Sequence, residues 1–157
     1  MLTLWILSVL FALEPAAPWT STYVETAEAI ADASVADPLF ADDEAGYKTA
    51  AALISLGWFE GRLDPKAVGD HGRARGLFQV HAGPYSPEAA ARDYLDDVGT
   101  QARVAVRMLH DSQRACRSLG EAQRWAWYAS GSCGRGRVAA SHRYLFAQRL
   151  LREHPPP

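Results

Sequence analysis

The sequence predicts a mainly helical domain with an irregular region in its middle. Apolar residues recur at helical intervals before residue 60 and again after residue 87, whereas residues 61–86 are rich in glycine and proline. The chain has 157 residues, of which 48% are apolar and 22% charged, and this is enough for one hydrophobic core. We therefore expect one helical domain interrupted by a loop or short β-hairpin region.

The N-terminal segment from Met1 to Leu13 is almost wholly apolar but shorter than the roughly 20 residues that span a membrane. Its length suits the apolar part of an export signal, and Ala16-Ala17 supply small residues for cleavage, although no basic residue precedes it. We interpret residues 1–18 as a signal-like segment and residues 19–154 as the domain, exported to the periplasm or the cell exterior. The alternative is an apolar strand or helix that packs on the domain.

Two helices are predicted before the irregular region. The first spans Thr22 to Val35, where alanine and aliphatic residues recur at helical intervals ahead of Asp37-Pro38. The second follows Asp42-Asp43-Glu44, acidic residues that suit a helix N-terminus, and it ends at Glu60 before Gly61. The irregular region therefore begins where this second helix stops.

Residues 61–86 form the predicted loop region, with short strands expected around Leu77 to Val80. A long irregular segment in a compact domain usually builds a binding site, so we expect the site here. Helical periodicity then returns in four runs: Pro87 to Leu95, Val98 to Cys116, Gly120 to Tyr128 and Gly136 to Glu153. We interpret the arginines between Arg135 and Arg152 as a solvated face of the last helix.

The net charge and the spacing of the cysteines and histidines argue against nucleic-acid, membrane and metal binding. The net charge is −2 and the isoelectric point is near 6.2, so no overall basic field exists to hold nucleic acid or an anionic membrane. No CxxC or HExxH pattern occurs. We expect no nucleic-acid partner, no integral membrane span, no metal and no cofactor.

The chain has two cysteines, Cys116 and Cys133. In an exported protein they are able to pair and close a loop, with a stabilisation on the order of 3 kcal/mol from loop-closure entropy. The alternative is a pair of buried reduced thiols that behave as small apolar groups.

Glu60 is the strongest candidate for a chemical role. It lies on the same helix face as Leu53 and Leu56, a face that is directed at the core. Apolar neighbours such as Trp58 and Phe59 favour the neutral carboxyl, the form that donates a proton in general acid catalysis. The alternative is an exposed glutamate at the end of a helix.

The residues after Glu60 follow an ordered pattern. The chain continues with Asp64-Pro65, Ala67-Val68 and Gly76-Leu77-Phe78-Gln79, and later with Trp127-Tyr128-Ala129-Ser130-Gly131. Over about residues 44–150 this resembles the soluble lytic transglycosylases and the related goose-type lysozymes. In those proteins a helix ends in the catalytic Glu, and an Asn/Asp-Pro turn, Ala-Val, Gly-Leu-Met-Gln and Ala-Tyr-Asn-Ala-Gly follow. The resemblance implies a lysozyme-like fold.

The resemblance also implies site residues. Glu60 is implied as acid and base, Gly76-Leu77-Phe78-Gln79 as the part of the loop that contacts the sugar, and Tyr128 as a partner near the carboxyl. An amide such as that of Gln79 offers both a donor and an acceptor to sugar hydroxyls and acetamides. The alternatives are a loop-structuring amide for Gln79 and an ordinary core aromatic for Tyr128.

The implied activity is cleavage of peptidoglycan glycan strands between N-acetylmuramic acid and N-acetylglucosamine, by a monomer that uses Glu60 alone and leaves an anhydro-sugar. A lysozyme-type hydrolase would instead need a second carboxylate to position water, and Asp64 and Asp70 are the candidates, although both stand in turn contexts. The chain departs from the family pattern at two positions, with Gly61 in place of serine and Ala129 in place of asparagine. These departures favour a third hypothesis, a non-catalytic glycan-binding module.

Overall fold

The structure is a computed structural model that describes residues 1–15, 21–84 and 86–157. Its α-helices are α1 (Leu2–Leu13), α2 (Ser21–Ala36), α3 (Ala45–Glu60), α4 (Val98–Ala115), α5 (Ala126–Ser130) and α6 (Arg137–Glu153). Between α3 and α4, a small antiparallel sheet has the spatial order β1 (Val68–Gly69), β2 (Ala74–Arg75), β3 (Val80–His81). The mainly helical class and the short β region after α3 are therefore confirmed.

The predicted helix ends are accurate where the chain carries an end signal. α2 stops at Ala36 before Asp37-Pro38, and α3 stops at Glu60 before Gly61. α4 begins after Asp97, whose carboxylate accepts a hydrogen bond from the Thr100 amide at 2.8 Å. These local signals need no tertiary contact to act, which is why the sequence suffices to place them.

The prediction was less accurate in the shorter segments. The run from Pro87 to Leu95 is not one helix but two 3₁₀ turns, Pro87–Ala90 and Tyr94–Asp96. The expected strand around residues 77–80 is confined to Val80–His81, because Gln79 has a left-handed backbone with φ of 46°. Short apolar runs do not distinguish strand from turn, and here tertiary contacts decide the conformation.

α3 is the central helix. It packs against α1, α2, α4 and α6, and every residue from Thr49 to Gly57 is buried. Three consecutive alanines, residues 50–52, let neighbouring helices approach closely on several sides. One cluster of buried side chains draws on all of the α-helices named above. Because Glu60 ends this central helix, the core fixes the position of its backbone.

α1 packs on the domain. Its inner face buries Trp5, Ile6, Val9 and Leu10. The indole Nε1 of Trp5 donates to the carbonyl oxygen of His154 at 2.8 Å, and its ring meets Tyr47 edge-on with centroids 5.4 Å apart. The sequence analysis gave this arrangement, an apolar helix packed on the domain, as the alternative to a signal-like segment. Ala16-Ala17 lie outside the described residues, so cleavage there stays a prediction. No helix within the described ranges is long and apolar enough to cross a membrane.

Replacing Trp5 by alanine tests the packing of α1. We expect Trp5→Ala to lower the free energy of unfolding by about 3–5 kcal/mol, because a large buried ring and its hydrogen bond are both lost. Leu4→Ala is the matched control, since Leu4 is 68% exposed on the same helix and its loss costs less than about 0.5 kcal/mol. Urea unfolding of the chain that starts at Met1 measures both, and equal values for the two variants would contradict this packing.

An ion pair fastens the 3₁₀ turn Pro87–Ala90 to α4. Arg107 Nη1 donates to Glu88 Oε1 at 2.6 Å, and Nη2 donates to Oε2 at 3.0 Å. The hydrogen bonds from the Arg107 guanidinium lower the pKa of Glu88 from 4.5 to about 2. A two-point contact of this kind fixes orientation as well as position, although both side chains are partly in water.

This ion pair predicts a pH-dependent contribution to stability. Because the pKa of Glu88 is lower in the folded chain than in the unfolded one, the contribution is present above about pH 4.5 and is lost as the pH falls towards 2. We expect Glu88→Gln to cost about 0.5–1 kcal/mol at pH 7, the scale of an exposed pair, and to cost less at pH 3. Glu25→Gln, an exposed change in α2, serves as control. A cost that does not change with pH in chemical denaturation would contradict the assignment.

Candidate active site

Glu60 is the last residue of α3, and its side chain is 21% exposed. Leu53 and Leu56, which share its helix face, are fully buried. Since α3 is buried on all sides from Thr49 to Gly57, these two leucines do not define a single core-directed face. The carboxyl lies where the central helix meets the loop region. The carboxyl is neither fully exposed nor enclosed by apolar side chains alone.

Arg143 of α6 is the direct partner of Glu60. Its Nε and Nη2 atoms both donate to Glu60 Oε1, at 2.9 and 2.6 Å, while Oε2 lies outside this ion pair. The Arg143 side chain is only 14% exposed, so the interpretation of the last-helix arginines as a solvated face was wrong for this residue. Helical periodicity alone did not reveal it, because the partner lies 83 residues away in the sequence.

Other contacts hold Arg143 in place. Its Nη1 donates to the Ala139 carbonyl at 3.0 Å, and its guanidinium lies 5.5 Å from the centre of the Phe59 ring. On the other side, the Ser55 hydroxyl of α3 donates to the Arg143 carbonyl at 2.7 Å. α3 and α6 are thus joined by two polar contacts, from Ser55 to the Arg143 carbonyl and from the Arg143 guanidinium to Glu60.

The chain turns sharply after Glu60. Arg62 and Leu63 both have left-handed backbones, with φ of 51° and 59°, and Arg62 lies over the Trp58 ring at 5.2 Å. Gly61 lies against the loop: a Cβ there would be 2.5 Å from the Leu77 carbonyl oxygen and 3.1 Å from that of Gly76. Glycine in place of the family's serine therefore permits a close backbone approach, which brings residues 76–77 against the end of α3.

Gln101, a residue that the sequence analysis missed, organises the loop from α4. It is fully buried, its Oε1 accepts from the Leu77 amide at 2.7 Å, and its Nε2 donates to the carbonyls of Pro65 and Tyr94, both at 3.0 Å. Gly76 has φ of 77°, and a Cβ there would be 2.5 Å from Gln101 Oε1. A polar residue on the apolar face of a predicted helix was the available signal.

Leu77 and Phe78 are fully buried, so their side chains anchor the loop in the core rather than face a ligand. The amide of Gln79 also serves the loop: Nε2 donates to the Gly76 carbonyl at 3.0 Å and to the Ala67 carbonyl at 3.2 Å. This is the loop-structuring role weighed as the alternative. Contact of these residues with a sugar stays a prediction.

Tyr128 of α5 closes onto the same loop. Its hydroxyl donates to the Phe78 carbonyl at 2.7 Å rather than to Glu60. Burial, and after it the negative charge of nearby Glu60, raises the pKa of Tyr128 well above its ordinary value. The phenol is therefore neutral, close enough to the carboxyl to sense its charge, and committed to the loop as a donor.

A groove of about 580 Å³ lies between the loop region and α5. Residues 79–84 and Ser86 line it from the loop, residues 127–131 from α5 and the turn after it, and Met108 from α4. Gln79 and Tyr128 thus come together in one groove, as the resemblance implies, whereas Glu60 is not among the lining residues. The volume falls within the range of small-molecule and sugar sites.

The two candidate second carboxylates have local partners. Asp64 Oδ1 accepts from the Lys66 amide at 2.8 Å, which is a turn contact. Asp70 pairs with Arg73, with Oδ2 and Nη2 2.9 Å apart, and its Oδ2 lies 3.7 Å from His81 Nε2. Both therefore stabilise the loop, and the structure shows no contact of either with Glu60 within the residues it describes.

Cys116 at the end of α4 and Cys133 after α5 lie at disulfide distance, with Cα atoms 5.5 Å apart. The pair ties the turn after the groove segment 127–131 to α4. Within the described residues, no group of three His, Cys, Asp or Glu side chains is placed to hold a metal ion.

No protein-family model, no curated protein and no solved structure matches this chain. The resemblance to lytic transglycosylases therefore rests on the sequence motifs, and the lysozyme-like fold stays a prediction.

The close approach at Gly61 is directly testable. We expect Gly61→Ala to lower the free energy of unfolding by about 1–3 kcal/mol, because its Cβ meets the Leu77 backbone, which has to shift. Gly120→Ala is the control: Gly120 has φ of −59° and open space around its Cβ position, so the change is neutral or stabilising by up to about 1 kcal/mol. Chemical denaturation of both variants measures the difference, and a neutral Gly61→Ala would show that the two backbones do not meet.

Proposed function

We propose that this protein cleaves peptidoglycan glycan strands as a lytic transglycosylase, with Glu60 as the acid and base. The observation that supports it most is that the loop bearing Gly76-Leu77-Phe78-Gln79 packs directly on the end of the helix that bears Glu60, in the order that the family motif requires. Tyr128 lines the groove and is close enough to Glu60 for the carboxylate to raise its pKa, which favours a site in which a partly exposed acid works near the groove.

The proposed chemistry needs one carboxyl group. Protonated Glu60 gives its proton to the glycosidic oxygen, and the bond from that oxygen to C1 of N-acetylmuramic acid breaks. The C6 hydroxyl of the same sugar then attacks C1 while the Glu60 carboxylate takes its proton. The products are a 1,6-anhydro sugar and a free hydroxyl on N-acetylglucosamine, and the acid is regenerated. No water is consumed.

Arg143 has a defined place in this scheme. Both of its bonds to Glu60 end on Oε1, so we assign proton transfer to Oε2. After the first step the carboxylate remains beside the guanidinium, which stabilises it while it waits for the second proton. The first step needs a proton on Glu60, so binding of the glycan has to weaken this contact.

The non-catalytic glycan-binding module is the second candidate function. It is favoured by the Arg143–Glu60 ion pair and by the absence of Glu60 from the groove lining. In this case the groove holds the glycan, and Glu60 serves only to join α3 to α6.

Export is part of both proposals, and a disulfide between Cys116 and Cys133 is compatible with it.

Glu60→Gln is the decisive variant. The amide keeps the size of the side chain and an oxygen that accepts from Arg143, so the protein should fold, which thermal unfolding verifies. We expect the release of soluble fragments from purified peptidoglycan to fall about 10²–10⁴-fold. Mass spectrometry of the wild-type products should show anhydromuramyl ends.

Asp64→Asn and Asp70→Asn serve as matched controls that remove a nearby carboxylate without touching Glu60. Activity should survive in both. Hydrated reducing ends, together with loss of activity in one of these controls, would indicate a lysozyme-type hydrolase instead. Wild-type protein that binds peptidoglycan and releases no fragments would indicate the binding module.

A further inference from the structure

The small net charge conceals a strong separation of charge along the chain. Residues 1–47 contain eight acidic residues and no lysine or arginine, whereas residues 48–157 contain sixteen basic and ten acidic residues. The overall value of −2 is therefore the sum of an acidic N-terminal part and a basic remainder. A local positive surface is therefore compatible with this small net charge.

Four exposed arginines gather around the two cysteines. Within the residues that the structure describes, none of them forms an ion pair with a carboxylate, unlike Arg107, Arg114 or Arg143. We call them the arginine cluster: Arg117, Arg124, Arg135 and Arg137.

The Cys116–Cys133 pair brings the cluster together. Arg117 follows the first cysteine directly, and Arg135 and Arg137 follow the second, whose Cα is 5.5 Å from that of Cys116. Two members are also held by backbone contacts: Arg124 Nε donates to the Leu119 carbonyl and Arg137 Nε to the Cys133 carbonyl, each at 3.2 Å. The terminal amino groups of these side chains remain available to a ligand.

This part of the chain carries little negative charge. Glu121 is the one acidic residue between positions 112 and 137, and it hydrogen-bonds the Tyr144 hydroxyl. Like charges on neighbouring segments repel one another, and an anion that binds among them relieves this repulsion.

The arginine cluster includes residues that follow a groove-lining segment in the chain. Residues 127–131 line the groove, and the chain passes through Ser132 to Cys133 and then Arg135. A polymer that lies in the groove and extends past Gly131 therefore meets the cluster. Within the described residues no other groove-lining segment leads to such a group of unpaired cations.

We infer that the arginine cluster binds anionic groups carried by the glycan polymer that occupies the groove, so that the protein acts on an anionic glycan and not on a neutral one. The inference rests on the proposed function for the identity of the groove's ligand. The anionic groups are carboxylates of peptide stems or phosphates of polymers attached to the wall, and both match the chemistry of a guanidinium.

The test compares two triple variants with the same change in charge. The cluster variant carries Arg117→Gln, Arg135→Gln and Arg137→Gln, and the control carries Arg92→Gln, Arg103→Gln and Arg152→Gln, which are exposed arginines of other segments. Both are made in the Glu60→Gln background, so that binding to insoluble peptidoglycan is measured without cleavage. A third variant with lysine at the three cluster positions keeps the charge and reports on folding.

We expect the cluster variant to lose about tenfold or more in affinity for peptidoglycan, because each exposed charge contact contributes a factor of about two to five. Its binding should also depend less on salt than that of the control. The lysine variant should bind nearly as well as the parent, and all variants should bind neutral N-acetylglucosamine oligomers equally.

Two treatments of the peptidoglycan identify the source of the anions: enzymatic removal of the peptide stems and chemical removal of attached phosphates. The treatment that abolishes the difference in affinity between the cluster and control variants is the one that removes the ligand. The inference is overturned if cluster and control variants bind peptidoglycan equally, if neither treatment changes the difference, or if anionic phospholipid vesicles show the same dependence on the cluster. If wild-type protein releases no fragments while charge-dependent binding persists, the proposed cleavage fails and this inference stands.

Discussion

The contact between Gly61 and the backbone of residues 76–77 is the constraint on which the rest of the site depends. A glycine at the end of α3 lets the loop lie against the helix, and Gln101 of α4 accepts a hydrogen bond from the Leu77 amide. Phe78 is thereby buried with its carbonyl directed to Tyr128, which links the loop to α5. One missing side chain thus allows a helix end, a loop and a second helix to meet around one carboxyl group.

Helix ends and the class of fold were predictable because their signals are local. The signals are the acidic residues before α3, Gly61 after it and Asp97 before α4. Each acts within one turn of the chain, so it can be recognised from the sequence alone. The position of Glu60 at a helix end followed from the same signals.

The pairings of Glu60 and Leu77 were not predictable, although a glutamine on an apolar helix face was a signal that Gln101 is buried. Arg143 is 83 residues from Glu60, and Gln101 is 24 residues from Leu77. Gln101 is a single polar residue on an apolar helix face, and Arg143 is a single, mostly buried arginine on a face that otherwise looks solvated. Nothing in helical periodicity says which of many arginines turns inward, because that choice depends on a carboxylate supplied by another helix. For the same reason, the sequence predicted apolar neighbours for Glu60 and did not predict the arginine that pairs with it.

The hydrogen bond from Trp5 to the His154 carbonyl joins residues 149 positions apart. During synthesis α1 therefore lacks this contact until the end of α6 has been made, and until then its apolar face has no complete binding surface. The order of synthesis thus leaves the apolar face of α1 exposed while the rest of the domain is made.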